Sequence, residues 1–514
     1  MDREKNYKRL LIESGLFFAG STKGSFILPP RGHSLWKNIQ RVLDKKFVRR
    51  GVQNVLLPSL IPLNLLEREK EHIKGFSPEC FYVEKVGAKK LDTPLVLRPT
   101  SEVLFYDWYR QILQSYQQLP FLYNQWCSVF RAEKNTNPFF RNTEFLWQEG
   151  HTIHSSSEEA HQFALNILAD YQDYAENILG LGIIVGEKSQ GERFAGAVKS
   201  YTIECLLPDG QCLQLATSHY FGDNFCRLMD VKFQNKDNQV QYPFSTSWGT
   251  STRAIGAIVK THADNWGLVL TFEIAPVQIA FILIGKSQEL VNYYQEINSL
   301  LIPYYRCQLY NKNQQVNKNI LQADQEGCPL KIILGPEELE KKEITLIRRD
   351  NIERRITVSL AENETEEKYL FAFEKYVKSL SEVDEKIKKE FEENKKLTLS
   401  FRKGQLAGKI FGVINKEKQE LQKNLCQKST DFRDKHIFSV DNFSELEKKL
   451  KEEVKGLFLI PFCNNLDCER QIKEKVPAYS IRCISSSNKQ KNHHSQCLFC
   501  QSVAPVEVYL GRSY

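Results

Sequence analysis

A chain of 514 residues with 41% hydrophobic residues is long enough for about three domains, each with a packed core. Its formal charge of +7 permits binding to a polyanion without requiring it, so charge alone assigns no partner. No apolar run reaches the roughly 18 residues of a membrane helix, and the polar start MDREKNYKRL lacks a signal-peptide core, so the expectation is a cytoplasmic protein with no membrane partner.

In chain order, Leu35, Trp36, Ile39, Val42, Leu43 and Phe47 recur at helical spacing and predict an amphipathic helix, followed by Gly51 and an apolar strand ending at Pro58. Residues 63–79, LNLLEREKEHIKGFSPE, read as a charged helix, and residues 93–99 as a short strand. Residues 130–151, FRAEKNTNPFFRNTEFLWQEGH, read as a strand, a loop and a returning strand. On that second strand Phe145, Trp147, Glu149 and His151 share one face by period-two alternation. A core face would rarely carry Glu and His beside Phe and Trp, so this face is the leading candidate for a site.

A helix over 158–179 and strands near 182–187 and 201–207 come next. Pro208-Asp209-Gly210 marks a tight turn before a strand over 213–217. Together these predict an antiparallel sheet with flanking helices, an α+β catalytic domain over residues 1–270. From residue 271 to 375 strands alternate with helices, as in an α/β domain. A Lys- and Glu-rich stretch over 376–396 reads as a linking helix, and the remainder of 376–514 as a small C-terminal domain.

Thirteen cysteines, most of them scattered singly, suit a compartment in which thiols stay reduced. The C-terminal ones cluster as C-x4-C at Cys463 and Cys468 and C-x2-C at Cys497 and Cys500, spacings that suit a closed tetrahedral zinc site. Cys483, His493 and His494 are alternative ligands. Gly285-Lys286-Ser287 is not a P-loop, because Ala280 stands where the first glycine is needed.

The residues over 130–151 fill F-R-x-E and then R-x-x-x-F-x-x-x-E, with Phe130, Arg131, Glu133, Arg141, Phe145 and Glu149 at the typed positions. That pattern resembles motif 2 of class II aminoacyl-tRNA synthetases. Other runs extend the likeness: LRPTSE at 97–102, FAG at 194–196, LQLATSHYFG at 213–222, SWGTSTRAIGA at 247–257 and the final GRSY. Together they resemble the prolyl-tRNA synthetases of archaeal and eukaryotic type, from about Gly32 to Tyr514. The likeness makes the segment near Gly51 and Pro58 a motif 1, which builds a homodimer interface in such enzymes.

The resemblance implies ATP-dependent activation of L-proline to an adenylate and transfer to tRNA(Pro), and it explains the residue types. Activation brings a carboxylate against the α-phosphate, and a guanidinium can bond both anions at once. It implies Arg131 and Arg253 as catalytic. Thr100, Glu102, Arg131, Trp147, Glu149, His151, Phe194, His219 and Thr252 would bind proline. Arg131, Glu133, Phe140, Asn142, Phe145, Gln214, Thr217, Ser251 and Arg253 would bind ATP and its Mg2+. Cys463, Cys468, Cys497 and Cys500 would hold a structural Zn2+, and residues 271–375 would be the anticodon-binding domain.

Some positions depart from the family pattern. Asn142 replaces a basic residue of the motif 2 loop, Leu270-Thr271-Phe272-Glu273 replaces the usual L-P-P, and Lys331, Ile333 and Glu337 stand at altered anticodon positions. The segment before Gly32 diverges and is assigned no function. Residues 151–246 leave no room for an inserted editing domain, which implies a separate trans-editing deacylase. The alternative is a non-catalytic synthetase-like RNA-binding or regulatory protein. Such a protein would be expected to lose motif arginines, and Arg131 and Arg253 both remain. A threonyl enzyme would need a cysteine where Thr100-Ser101-Glu102 stands.

Overall fold

The computed structural model describes residues 3–69, 80–312, 315–360, 401–486 and 496–514. The strand Phe121–Phe130 returns as Glu144–His154, which pairs with Phe244–Ser251, and this strand pairs with Gln211–Gly222, every step antiparallel. Lys199–Leu206 and Ile183–Glu187 extend the sheet by further antiparallel pairing. This is the antiparallel core expected of an α+β catalytic domain. The predicted turn at 208–210 closes the hairpin, with Gly210 at a φ of +86° that a side chain would resist.

The helix Pro30–Arg49 begins with proline, where no N–H is needed, and buries Leu35, Trp36, Ile39, Leu43 and Phe47. The helix Ser157–Asp173 is capped by the Ser156 hydroxyl, which accepts from the Glu159 N–H at 3.2 Å, and it carries Glu158 and Glu159 where the helix dipole favours anions. It buries Ile167, Leu168 and Tyr171 in one core with Leu35, Leu43, Ile203, Leu215 and Trp248. This helix ends earlier than expected, giving way to a wider π-turn over Tyr174–Ile178.

Two other expectations change. The apolar strand ending at Pro58 shrinks to Gln53–Asn54, parallel to Phe121–Phe130, and Leu56 is left 78% exposed. Beyond Pro58 the chain moves to a small sheet, where Leu60–Pro62 pairs with Lys89–Leu97 beside Phe81–Val86. A proline cannot donate to a ladder, so the first sheet has no reason to extend through it. The charged helix over 63–79 is seen as Leu63–Leu66 and a 3-10 turn over Glu67–Glu69, and residues 70–79 lie outside the described residues.

The second domain is a five-stranded α/β sheet in the order Cys307–Leu309, Ile279–Leu283, Leu330–Leu334, Glu343–Arg348, Asn351–Ser359, parallel at first and then antiparallel. Here Ile333 is buried and Lys331 is 1% exposed in an ion pair with Asp324, so neither is presented to a ligand at the surface. The altered segment after Leu270 is tied down: Thr271 Oγ1 donates to the Ile178 carbonyl at 2.6 Å, and Arg306 donates to the Glu273 carbonyl at 2.9 Å.

The expected helix over 376–396 lies outside the described residues. A long helix, Phe401–Lys435, does span the domains. Ala407, Ile410, Phe411 and Ile414 pack into the second domain, and Leu421 and Leu425 pack against Val269 of the first. The C-terminal domain then joins the catalytic sheet directly, because Val506–Ser513 pairs in parallel with the start of Gln211–Gly222. Beside that junction Glu204, fully buried, accepts from Arg482 at 2.7 Å and from Lys188 at 2.9 Å. Burial alone would raise the Glu204 carboxyl, but the two cations outweigh it and hold it down at about 2.

Removing one partner of such a buried cluster strands a charge, so Arg482→Ala is expected to cost roughly 3–5 kcal/mol in a denaturant titration. Because the folded value lies below the ordinary one, the contribution of Glu204 is complete above about 4.5 and is lost as pH falls toward about 2. The difference in thermal midpoint between wild type and Glu204→Gln should therefore close across that window. A difference independent of pH would remove the ionised carboxylate from this junction.

Candidate active site

The site is laid out by the pairing of two strands. Cys127 faces Trp147, Gln125 faces Glu149 and Tyr123 faces His151 across the ladder between Phe121–Phe130 and Glu144–His154. Alternation then turns Phe145, Trp147, Glu149 and His151 toward one cavity of about 260 Å³. Arg131, just past the end of the outgoing strand, lies in the middle: its guanidinium is 5.5 Å from the ring centres of both Phe145 and Trp147 and donates to the Pro99 carbonyl at 3.2 Å.

One end of the cavity is acidic. Glu149 accepts from Gln125 Nε2 at 2.6 Å and from the Ser101 N–H at 3.1 Å, and lies 3.2 Å from His151 Nε2. Burial opposes its charge, but His151, Ser101 and Gln125 hold the carboxyl below its ordinary value. Glu102 accepts from the Thr100 hydroxyl, and burial, reinforced by Glu149, pushes its carboxyl up. Glu102, Glu149 and His151 offer atoms within 4.8 Å of one another. Beside them His219 is held neutral, pushed down to about 3 by burial and by Lys188 and His151, with Nδ1 2.8 Å from Ser200 Oγ. The Phe194 ring lies 4.9 Å from the His219 ring. Two carboxylates flanked by apolar rings make a receptor for a small cation with an apolar body.

The other end is basic. Arg253 begins the helix Arg253–His262, and its Nε donates to the Phe140 carbonyl at 3.0 Å. Burial, then Arg131 and Arg141, push its guanidinium down to about 10, still charged at neutral pH. Arg131 and Arg253 both line the cavity, and with a helix N-terminus beside them they favour an anion with several charges, whose binding would relieve their mutual repulsion.

Thr100, Glu102, Arg131, Phe145, Trp147, Glu149, His151, Phe194, Gln214, Thr217, His219, Ser251 and Arg253 all line this cavity. Glu133, Phe140, Asn142 and Thr252 do not. Glu133 lies close enough to raise the Arg253 guanidinium, and Phe140, only 2% exposed, meets Arg253 through its carbonyl. Asn142 and Thr252 are buried, each with a side-chain oxygen that has no hydrogen-bond partner among the described residues.

Sequence reading missed Lys188, Glu192 and Arg193, which also line the cavity from the loop just ahead of the FAG run. It also missed Gln125 and Cys127, although the alternation that oriented Glu149 and Trp147 would have placed their ladder partners beside them. The unassigned N-terminal segment braces the motif 2 loop: Lys23 Nζ donates to the Lys134 carbonyl at 2.7 Å and Tyr7 to the Pro138 carbonyl at 3.0 Å. From the other side Asn137 Nδ2 donates to the Tyr514 hydroxyl at 2.7 Å.

The sulfurs of Cys463, Cys468, Cys497 and Cys500, none of which lines the cavity, all lie within 4.8 Å of one another. Tetrahedral zinc with Zn–S near 2.3 Å needs sulfurs about 3.8 Å apart, so this set fits the metal. Cys483 is not among them: it is buried against Gly186. His493 and His494 lie outside the described residues.

A family model for the class II tRNA synthetase core domain (G, H, P, S and T) matches residues 81–262. An anticodon-binding domain model matches residues 278–369, and a prolyl-tRNA synthetase C-terminal model residues 443–514. The proline–tRNA ligase of Mycoplasma mycoides subsp. mycoides SC is 38% identical, over 100% of this chain and 98% of that one. Two crystal structures of prolyl-tRNA synthetase from Cryptosporidium parvum, each 29% identical, cover 99% of this chain and 94% of theirs. The one with halofuginone and AMPPNP superposes with a TM-score of 0.84, and the one with L-proline and AMP with 0.83. These relatives along the whole chain, and a cavity on the antiparallel sheet that is acidic at one end and arginine-lined at the other, identify the chain as a member of the prolyl-tRNA synthetase family of class II aminoacyl-tRNA synthetases.

Proposed function

We propose that this cavity joins L-proline to ATP and passes the prolyl group to tRNA(Pro). The observation that carries the reading is the position of Arg131 at the boundary between the carboxylate pair and the arginine field. The proline ammonium lies against Glu102, Glu149 and Thr100, and Trp147, Phe194, His151 and His219 enclose its ring. Phe145 offers a face to adenine, and Glu133 accepts from its amino group. Arg253 binds the terminal phosphate. Gln214 and Thr217 would face the phosphates and their Mg2+, which when bound neutralises charge on the leaving pyrophosphate.

With both substrates seated, the proline carboxylate attacks the α-phosphorus in line and pyrophosphate leaves. A hydroxyl at the 3′ end of tRNA(Pro) then attacks the prolyl carbonyl and AMP departs. No protein nucleophile is required, so the chain contributes orientation and charge stabilisation. The reading of a non-catalytic RNA-binding relative is disfavoured because Arg131 and Arg253 both face the cavity. The complexes of the Cryptosporidium enzyme with L-proline and AMP and with AMPPNP support the same substrates here.

Three further assignments belong to this reading. Cys463, Cys468, Cys497 and Cys500 hold a structural Zn2+. Val48, Leu56 and Leu60, at 61%, 78% and 41% exposure around motif 1, belong to a homodimer interface. The enzyme is assigned to the cytoplasm, and among the described residues no helix is long and apolar enough to cross a membrane. The domains divide as 1–270, 271–375 and 376–514.

Removing a preorganised donor from a developing negative charge costs about 2.7–4 kcal/mol, and Arg131→Ala should lose at least this much in proline-dependent ATP–pyrophosphate exchange. Arg253→Ala should act mainly through the KM for ATP. Near wild-type exchange by folded Arg131→Ala would sink the assignment.

Metal analysis of protein purified without chelator should return about one zinc per chain, and Cys497→Ser should loosen the C-terminal domain before it slows chemistry. A zinc content near zero would refute the site.

Residues 151–246 are used up by the helix Ser157–Asp173 and by strands of the catalytic sheet, so there is no inserted editing domain. A missing methylene is worth only about 1–3 kcal/mol in discrimination, so alanine should be attached to tRNA(Pro) and removed by a separate deacylase. Rapid hydrolysis of preformed alanyl-tRNA(Pro) by this protein alone would show that it edits in cis.

A further inference from the structure

Residues 188–196 join Ile183–Glu187 to Lys199–Leu206 and lay Lys188, Glu192, Arg193 and Phe194 along the cavity. The two ends of this loop are tied to its own hairpin: the Lys188 N–H donates to the Ser200 carbonyl at 2.7 Å, and the Phe194 N–H to Ser200 Oγ at 3.1 Å. Its middle is held from the C-terminal domain. Glu469, in the helix Leu466–Lys475, is 3% exposed. Its carboxylate accepts from Ser189 Oγ at 2.6 Å and from the Gly191 N–H at 2.9 Å. One turn on, Lys473 pairs with Glu192 at 2.8 Å. The approach is close, since a Cβ at Gly191 would lie 2.7 Å from the Glu469 carboxyl carbon.

This is an unusual use of a buried acid. Among the described residues no cation pairs with Glu469, so its charge is offset by neutral donors alone, a poor arrangement for stability compared with an apolar side chain. What the two oxygens do achieve is to fix two donors of one loop at once, and that loop forms a wall at the amino-acid end. The arginines at the opposite end stand on different segments, so they do not depend on it.

We propose that Glu469 is a positioning residue for the amino-acid end of the cavity. It holds residues 189–191 from the C-terminal domain, so that Phe194 keeps its place against His219 and Lys188 its place at the cavity wall. The inference rests on the proline-activating reading above and adds to it a division of labour within the C-terminal domain: the helix Leu466–Lys475, through Glu469, bears on the affinity for the amino acid, whereas Tyr514, through Asn137, bears on the motif 2 loop.

The test uses the full chain with Glu469→Ala, Glu469→Gln and Ser189→Ala in proline-dependent ATP–pyrophosphate exchange. Losing hydrogen bonds to a buried charge should raise the KM for proline about ten- to a hundredfold in Glu469→Ala, with the KM for ATP nearly unchanged. Glu469→Gln, which keeps one accepting oxygen, should fall between wild type and alanine. Equal changes in both KM values, or a fall in kcat at constant KM, would overturn the proposal. If Glu469→Ala does not fold, Ser189→Ala and Glu469→Gln decide by the same split. Tryptic cleavage after Arg193 gives a readout that does not need the substrate: it should quicken several-fold in Glu469→Ala and Ser189→Ala, and an unchanged rate would refute the tether. Absence of proline-dependent exchange in wild type, with quickened cleavage in the variants, would instead refute the substrate and leave the tether standing.

Discussion

The antiparallel register of Phe121–Phe130 against Glu144–His154 is the constraint on which the site depends. Side chains alternate across a strand, so a slip of one residue would turn Glu149 and His151 away from the cavity and bring Gln148 and Gly150 to it. Several contacts lock the register. Gln125 Nε2 bonds Glu149, Gln148 Nε2 bonds Asn124 at 2.6 Å, and Tyr171 bonds Gln148 at 2.5 Å from the covering helix. Gly150 is needed because Trp248 of the next strand lies against it: a Cβ there would be 2.1 Å from the indole. The alternation therefore sends the acid and the imidazole into the cavity and the amide and the indole into the core.

Electrostatics then divides the cavity. The carboxylates of Glu102 and Glu149 are too close for both to ionise freely, and the arginines repel one another at the far end. A zwitterionic amino acid with its ammonium toward the acids and its carboxylate toward Arg131, beside a polyphosphate, answers both strains at once. Preorganised charge of this kind acts on the developing transition state without reorganisation at the moment of reaction. It also explains why the chain needs no general base.

Much of this was legible in the sequence because it is local. Period-two alternation over 145–151 and the helical spacing of Leu35, Trp36, Ile39, Leu43 and Phe47 report directly on which faces are turned inward. Fixed motifs named residues from five separate segments that the fold gathers into one cavity. What was hidden is what tertiary contact decides. Nothing around residue 188 announces that Lys188 would face both the cavity and Glu204, and nothing near residue 469 announces a contact with residue 189. The helix Phe401–Lys435 escaped notice because Gly404, Gly408 and Gly412 weaken helix propensity, and its apolar positions serve two different domains in turn. Lys331 stands at an altered anticodon position, and its burial in a pair with Asp324 could not be read from spacing.

The central claim is that one cavity reads the amine of proline at its acidic end and joins the carboxylate to ATP across Arg131. Amino-acid-dependent ATP–pyrophosphate exchange, measured with the purified full chain and each of the twenty amino acids in turn, tests it most directly. Proline should support exchange far above every other amino acid, with alanine giving a weaker signal and the rest close to background. Exchange driven best by a different amino acid, or by none, would contradict the account.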